Sequence, residues 1–243
     1  MSALAITNVV SAGLPAVLGT VDDRWFNNPV IRETFWLAVA ETIYMSFWSS
    51  LITVLIGTPL GLLLVATARG GLLPNRAIYQ TLSVIVNIGR SLPFIILMIA
   101  ILPFTRFVVG TTLGWKAAVV PLTVGAIPFF ARLVETAVHS VEPGKIEAAH
   151  MMGASRWQIM FGVQIREALP ALIQSTTVLV ITIISYGAMA GVIGAGGLGQ
   201  LAMNYGYNRF MGDVMLVAIV GILVIVQIVQ MTGDMLSRLV DHR

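Results

Sequence analysis

The chain of 243 residues contains no cysteine. That excludes disulfide bridges, thiolate nucleophiles and Cys-type metal sites. Charge is almost as scarce. Asp, Glu, Lys and Arg make up 10% of the residues, against roughly 25% in a soluble domain. So few charges cannot keep a soluble surface wet, and most of the chain must face lipid or other apolar helices. Of the three histidines, His139, His150 and His242, none sits in a ligand spacing such as HExxH, so no metal is expected. The net charge is +3 with basic residues scattered, which argues against a nucleic-acid surface. There is no phosphate loop of the form GxxxxGK followed by Ser or Thr, and no defensible nucleophile–base pair. No catalytic residue is therefore assigned, and the chain is expected not to be an enzyme. The N-terminus lacks the basic region of a secretory signal.

What the chain has is apolar length, with 57% hydrophobic residues. Residues 1–28 are only mildly apolar and read as a mobile N-terminal extension. Asn28-Pro29 then looks like a helix cap and first helical residue. Residues 29–243 read as one membrane domain with spans at about 42–68, 79–103, 117–138, 170–195 and 214–233, near the roughly 20 residues a bilayer core requires. The expected fold is an all-α integral membrane protein with five transmembrane helices. Gly57-x-x-x-Gly61 in the first span is a close-packing pattern, and Pro59 is a candidate kink. The second span holds Arg90 beside Ser91-Leu92-Pro93. Such an arginine either faces the bundle interior or snorkels to an interface. In the third span Arg132 and Glu135 are three apart, close enough to pair.

Residues 139–169 are the one polar interruption. The segment 141–170 reads VEPGKIEAAHMMGASRWQIMFGVQIREALP. Pro143 suits the first turn of a helix, Gly153 breaks it, and Ser155 can cap a second. The expectation is helix, glycine turn, helix, lying outside the bilayer. Ile146, Ala149, Met152, Ile159, Met160 and Val163 would form an apolar face offering grip to a partner.

This loop resembles the coupling loop of permeases of ATP-binding-cassette (ABC) importers, whose motif is Glu-Ala-Ala, three residues, Gly, nine residues, Ile-x-Leu-Pro. Here Glu147-Ala148-Ala149 precedes Gly153 at that spacing, and Val163-x-Ile165 takes the place of Ile-x-Leu. Arg166 replaces the family's proline, and Pro170 is expected to end the second helix instead. The stretches 86–97, 103–106, 109–112, 118–121, 128–132, 194–200 and 205–207 are similar to the permease family of methionine importers. The resemblance implies a type I fold and a homodimer forming the pathway in a bacterial cytoplasmic (inner) membrane. It also implies two cytoplasmic ATPase subunits, an extracytoplasmic binding protein, and L-methionine, D-methionine or derivatives as substrate. No cofactor is expected on this chain, since ATP and magnesium would sit on the ATPase. Glu147, Ala148, Ala149, Gly153, Ala154, Ser155 and Arg156 would form the ATPase-coupling site. Basic residues favour the side of the central loop by seven to five, which supports a cytoplasmic loop and C-terminus with the N-terminus outside.

Two further stretches matter. Residues 194–199 spell G-x-G-x-x-G. They end a membrane span and the next acid, Asp213, comes too early, so a dinucleotide site is rejected. Just before them, small residues surround Ser185, Tyr186 and Met189, a candidate gate if two copies of Met189 meet on a dimer axis. Competing readings are a permease for another small amino acid or anion, and a secondary transporter or channel using Arg90, Arg132 and Glu135. An intramembrane enzyme would need clustered polar groups that the spans lack.

Overall fold

The computed structural model describes residues 27–241. The extension expected over residues 1–28 lies almost wholly outside them. Asn28 opens the first helix by accepting the Val30 N–H on its side chain at 3.0 Å, with Pro29 following it. The helix α1 (Pro29–Thr67) is 39 residues long. At 1.5 Å per residue that is about 58 Å, well beyond the ~30 Å of a hydrocarbon core. It starts thirteen residues before the expected span, because Arg32, Glu33 and Glu41 are carried on a helical lead-in. Pro59 sits inside it without ending it.

The second span is not one helix. It divides into α2 (Arg76–Ser91) and α3 (Phe94–Ala100), bent by 99°. Pro93 disfavours the helical region for the residue before it, and Leu92 is extended at φ −76°, ψ 128°. A short α4 (Leu102–Val109) follows, then α5 (Trp115–His139), which holds Pro121 and Pro128 within its length.

The loop contains α6 (Pro143–Met151) and α7 (Arg156–Gln158). Pro170 does not end the second loop helix. That helix runs from α7 through a π-helical turn (Ile159–Gln164) directly into α8 (Ile165–Ala190), with Pro170 inside. Losing one N–H is tolerable in a membrane helix whose neighbours hold it in place. One such neighbour contact is the Ser237 hydroxyl, which donates to the Pro170 carbonyl at 3.2 Å. The chain ends with α9 (Gly197–Leu201) and α10 (Gly212–Val240). Asn28 Nδ2 donates to Asp213 at 2.9 Å, tying the starts of α1 and α10 together.

The bundle is organised on α1 against α5. Gly57 and Gly61 face α5. A Cβ on Gly61 would stand 2.6 Å from both the Ala131 carbonyl oxygen and Val134 Cβ. The two glycines therefore let the Ala131 carbonyl and the Phe130 and Val134 side chains press directly on the α1 backbone, as the Gly-x-x-x-Gly pattern implies. Met45, Phe94, Met98, Leu122, Phe130, Leu179 and Ile183 fill the core between α1, α3, α5 and α8. By contrast α10 leaves Leu216, Ile219, Val220, Leu223, Val224 and Ile228 exposed. In water such a face would be untenable. Lipid or another apolar helix must cover it.

Candidate functional site: an elbow beneath a membrane bundle

The loop folds into an elbow with defined caps. Gly153 has φ +79°. Its N–H bonds to the His150 carbonyl at 3.0 Å and the Ala154 N–H bonds to the Ala149 carbonyl at 3.1 Å. That pair is a Schellman stop, which wants glycine at the left-handed position. Two residues on, Ser155 and Gln158 cap each other's backbone reciprocally and start α7. Lys145 pairs with Glu167, fastening α6 to the root of α8. The elbow is thus rooted at both ends in membrane helices, α5 and α8.

The outward face of this elbow differs from the expected one. Ala149, Ile159 and Met160 are buried within the chain, and Ile146 and Val163 are partly covered. Of the six residues expected to grip a partner, Met152 alone is exposed. The apolar surface presented instead is Met151, Met152, Trp157 and Phe161, with exposures of 89, 81, 64 and 55%. The Trp157 and Phe161 rings stack at 5.8 Å. Their i, i+4 spacing was the available signal. Glu147, Ala148, Ser155 and Arg156 are exposed around this patch, and Ala154 is half-buried.

The intramembrane charges form a network. Arg132 donates to Glu135, to Ser83 Oγ at 3.0 Å and to Asn87 Oδ1 at 2.8 Å. Tyr79 donates to the other Glu135 oxygen at 3.3 Å. The group staples α2 to α5 and leaves the Glu135 carboxylate 5% exposed. Removing one partner of a buried pair leaves an uncompensated charge, at a cost of about 3–5 kcal/mol. Arg132→Met is therefore expected to lower the thermal midpoint sharply, and the double change Arg132→Met with Glu135→Leu to restore most of it. An Arg132→Met protein of full stability that no longer transports would show that the pair serves permeation instead.

Arg90 is exposed, outside this network, and lines a cavity of about 120 Å³ with Phe94, Phe129 and Tyr186. Tyr186 stacks on Phe94 at 4.3 Å with the planes 6° apart. The bend at Pro93 thus brings Arg90 and Tyr186, distant in sequence, to one cavity. Ser185 and Met189 are exposed on the single chain. The small residues around Met189 are used internally, however. A Cβ on Gly187 would meet Met45, and one on Gly191 would meet the backbone of Gly199 and Gln200. They therefore give no separate reason for two α8 helices to meet.

The G-x-G-x-x-G stretch is bound to α1. The Gly197 N–H donates to Glu41 at 2.7 Å, and the Leu198 N–H to Thr42 Oγ1 at 2.9 Å. The Gly196 N–H donates to Gln200 at 2.6 Å. The amides that a phosphate would need are already occupied, in keeping with the sequence argument against a nucleotide.

Among the described residues, four helices long and apolar enough to cross a membrane, a fifth crossing if the bent pair is one span, and a helix–glycine–helix elbow at one end fit a membrane-embedded transport component. Residues 57–243 match the family described as "Binding-protein-dependent transport system inner membrane component", and the chain belongs to that family. It is 50% identical over 215 residues to the probable D-methionine transport system permease protein MetI of Pasteurella multocida, covering 88% of this chain and 99% of the relative. It is 47% identical over 221 residues to the methionine import system permease protein MetP of Bacillus subtilis, covering 91% and 99%. A crystal structure of the MetNI methionine ABC transporter in inward-facing conformations contains a chain that superposes with a TM-score of 0.86 at 44% identity, covering 88% of this chain and all of that one.

Proposed function

We propose that this chain is the permease subunit of an ATP-driven methionine importer, with two copies forming the pathway. Two ATPase subunits, holding ATP and magnesium, dock on the elbow over residues 139–169. An extracytoplasmic binding protein delivers the substrate. The chain lies in a bacterial cytoplasmic membrane, N-terminus outside and C-terminus inside. The substrate rests on the relatives named for methionine transport. The coupling role rests on one observation: the Met151, Met152, Trp157 and Phe161 patch sits on an elbow continuous with α8 and four residues from the end of α5. A push on that patch is carried into two membrane helices as a rigid-body tilt.

Reconstitution tests the reading. Proteoliposomes holding this chain and its ATPase, supplied with binding protein outside and ATP inside, should accumulate labelled methionine, and omitting either ATP or the ATPase should stop it. Uptake without the ATPase would make the chain a secondary carrier. ATP-driven uptake of some other small amino acid or an anion, with methionine inert, would keep the class and change the substrate. The gate is tested separately. Met189 is 48% exposed, and at a two-fold axis it would face its own copy. Met189→Cys should crosslink between copies in a chain with no native cysteine. A dimer shown to be intact that never crosslinks in any nucleotide state makes Met189 ordinary packing.

A further inference from the structure

We propose that a basic pocket at the elbow end of the bundle binds the phosphate of an anionic phospholipid headgroup. The pocket, of about 660 Å³, lies where α1 ends, α2 begins and α5 ends, and its wall includes Arg69, Asn75, Arg76, Tyr79 and His139. No Asp or Glu lines it. Arg69, Arg76 and His139 are exposed, and among the described residues no side-chain hydrogen bond or ion pair engages them. The Glu135 carboxylate, to which Tyr79 of the wall donates, is already held by Arg132. Asn75 uses its oxygen to cap α2, accepting from the Ala77 and Ile78 N–H groups, which leaves its two N–H donors for a ligand.

Position decides the ligand class. Thr67, Arg76 and His139 are terminal residues of helices in the membrane bundle, so the pocket sits at headgroup depth. The helix α2, whose first turn lines the pocket, exposes Ile78, Val84, Ile85 and Ile88 along its length. A cationic recess at the end of an apolar membrane helix fits a phosphate with acyl chains attached, the pattern of basic pockets between helix ends. The neighbouring cleft, which shares Arg69 and His139, carries Glu147 and belongs to the elbow. Occupancy has a mechanical consequence that rests on the proposed coupling role. A phosphate held by Arg69, Arg76 and His139 pins the end of α5 four residues before α6 begins, stiffening the root of the elbow.

Native mass spectrometry of the permease–ATPase complex tests this. With equal phosphatidylglycerol and phosphatidylcholine present, the wild type should retain phosphatidylglycerol at about one per permease chain. Arg69→Gln with Arg76→Gln should reduce that retention at least tenfold, without shifting the thermal midpoint in phosphatidylcholine. Arg69→Lys with Arg76→Lys should keep most of it, and Arg238→Gln all of it. Equal retention of both lipids, unchanged retention in the double Gln variant, or the same loss in Arg238→Gln would overturn the proposal. Loss of the lipid to millimolar inorganic phosphate would assign the site to a free anion. Failure to retain lipid in the complex, with retention by the permease alone, would assign the pocket to the ATPase. Because binding is read directly, the result is independent of which substrate the transporter carries.

Discussion

Gly153→Val is expected to give a protein that inserts and assembles as a bundle but supports about a tenth or less of wild-type ATP-coupled uptake. A Cβ on Gly153 would meet nothing within 4 Å, so the penalty is not a clash. It is conformational. At φ +79° an L-residue is disfavoured by roughly 1–2 kcal/mol, and a β-branched one by more. A penalty of that size lowers the ratio of native to relaxed turn by about five- to thirtyfold. The turn has little room to adapt, since its two Schellman bonds and the Ser155–Gln158 box follow one another without a spare residue. Once the turn relaxes, α7 leaves at another angle, and Trp157 and Phe161 no longer share a surface with Met151 and Met152. Gly153→Asn, which accepts the left-handed region at a smaller cost, should retain most of the uptake. Normal uptake by Gly153→Val would mean that the angle of the elbow carries no signal. Equal loss in the Asn variant would point to contact with the glycine itself.

The spans at about 42–68, 170–195 and 214–233 were legible because an uncharged run long enough to cross a bilayer has few other uses, and the elbow because cap residues act within a few positions of themselves. Proline was legible only in part. Pro59, Pro121, Pro128 and Pro170 lie inside continuous helices, whereas Pro93 separates two. Each of these prolines removes one hydrogen bond. What decides between kink and break is whether neighbouring helices hold both sides, and that is tertiary information. The outward face of the elbow was misjudged for a related reason. Ile159, Met160 and Val163 were placed by α-helical spacing, but the chain passes through a π-helical turn over just those residues. Such a turn holds one more residue than an α-helical one, which rotates the faces on its two sides relative to each other. The glycine loop shows the converse limit. Its sequence offered backbone amides to a phosphate, while the groups that take them, Glu41 and Thr42, lie 156 residues away.

The largest effect on assembly is expected at the aromatic pair of the elbow. Trp157→Glu with Phe161→Glu should leave the permease folded, yet it should no longer carry its ATPase through purification. The two rings pack on each other in the single chain and are 64 and 55% exposed. Replacing them removes no core contact, so the bundle has no reason to melt. Covered by a partner, they would be the anchors of the interface, and a buried aromatic anchor carries about 2 kcal/mol or more. Losing two is about 4 kcal/mol, near a thousandfold in dissociation constant. The introduced carboxylates add desolvation against any apolar groove. The measurement is the ratio of ATPase to permease after affinity purification on the permease tag, with the thermal midpoint of the permease alone as control. An unchanged ratio with an unchanged midpoint would move the docking surface off these rings. Glu147 and the exposed methionines would then be the next residues to change. A fallen midpoint would instead show that the pair holds the elbow together. Trp157→Phe, which keeps a ring in the stack, should purify with close to the wild-type ratio.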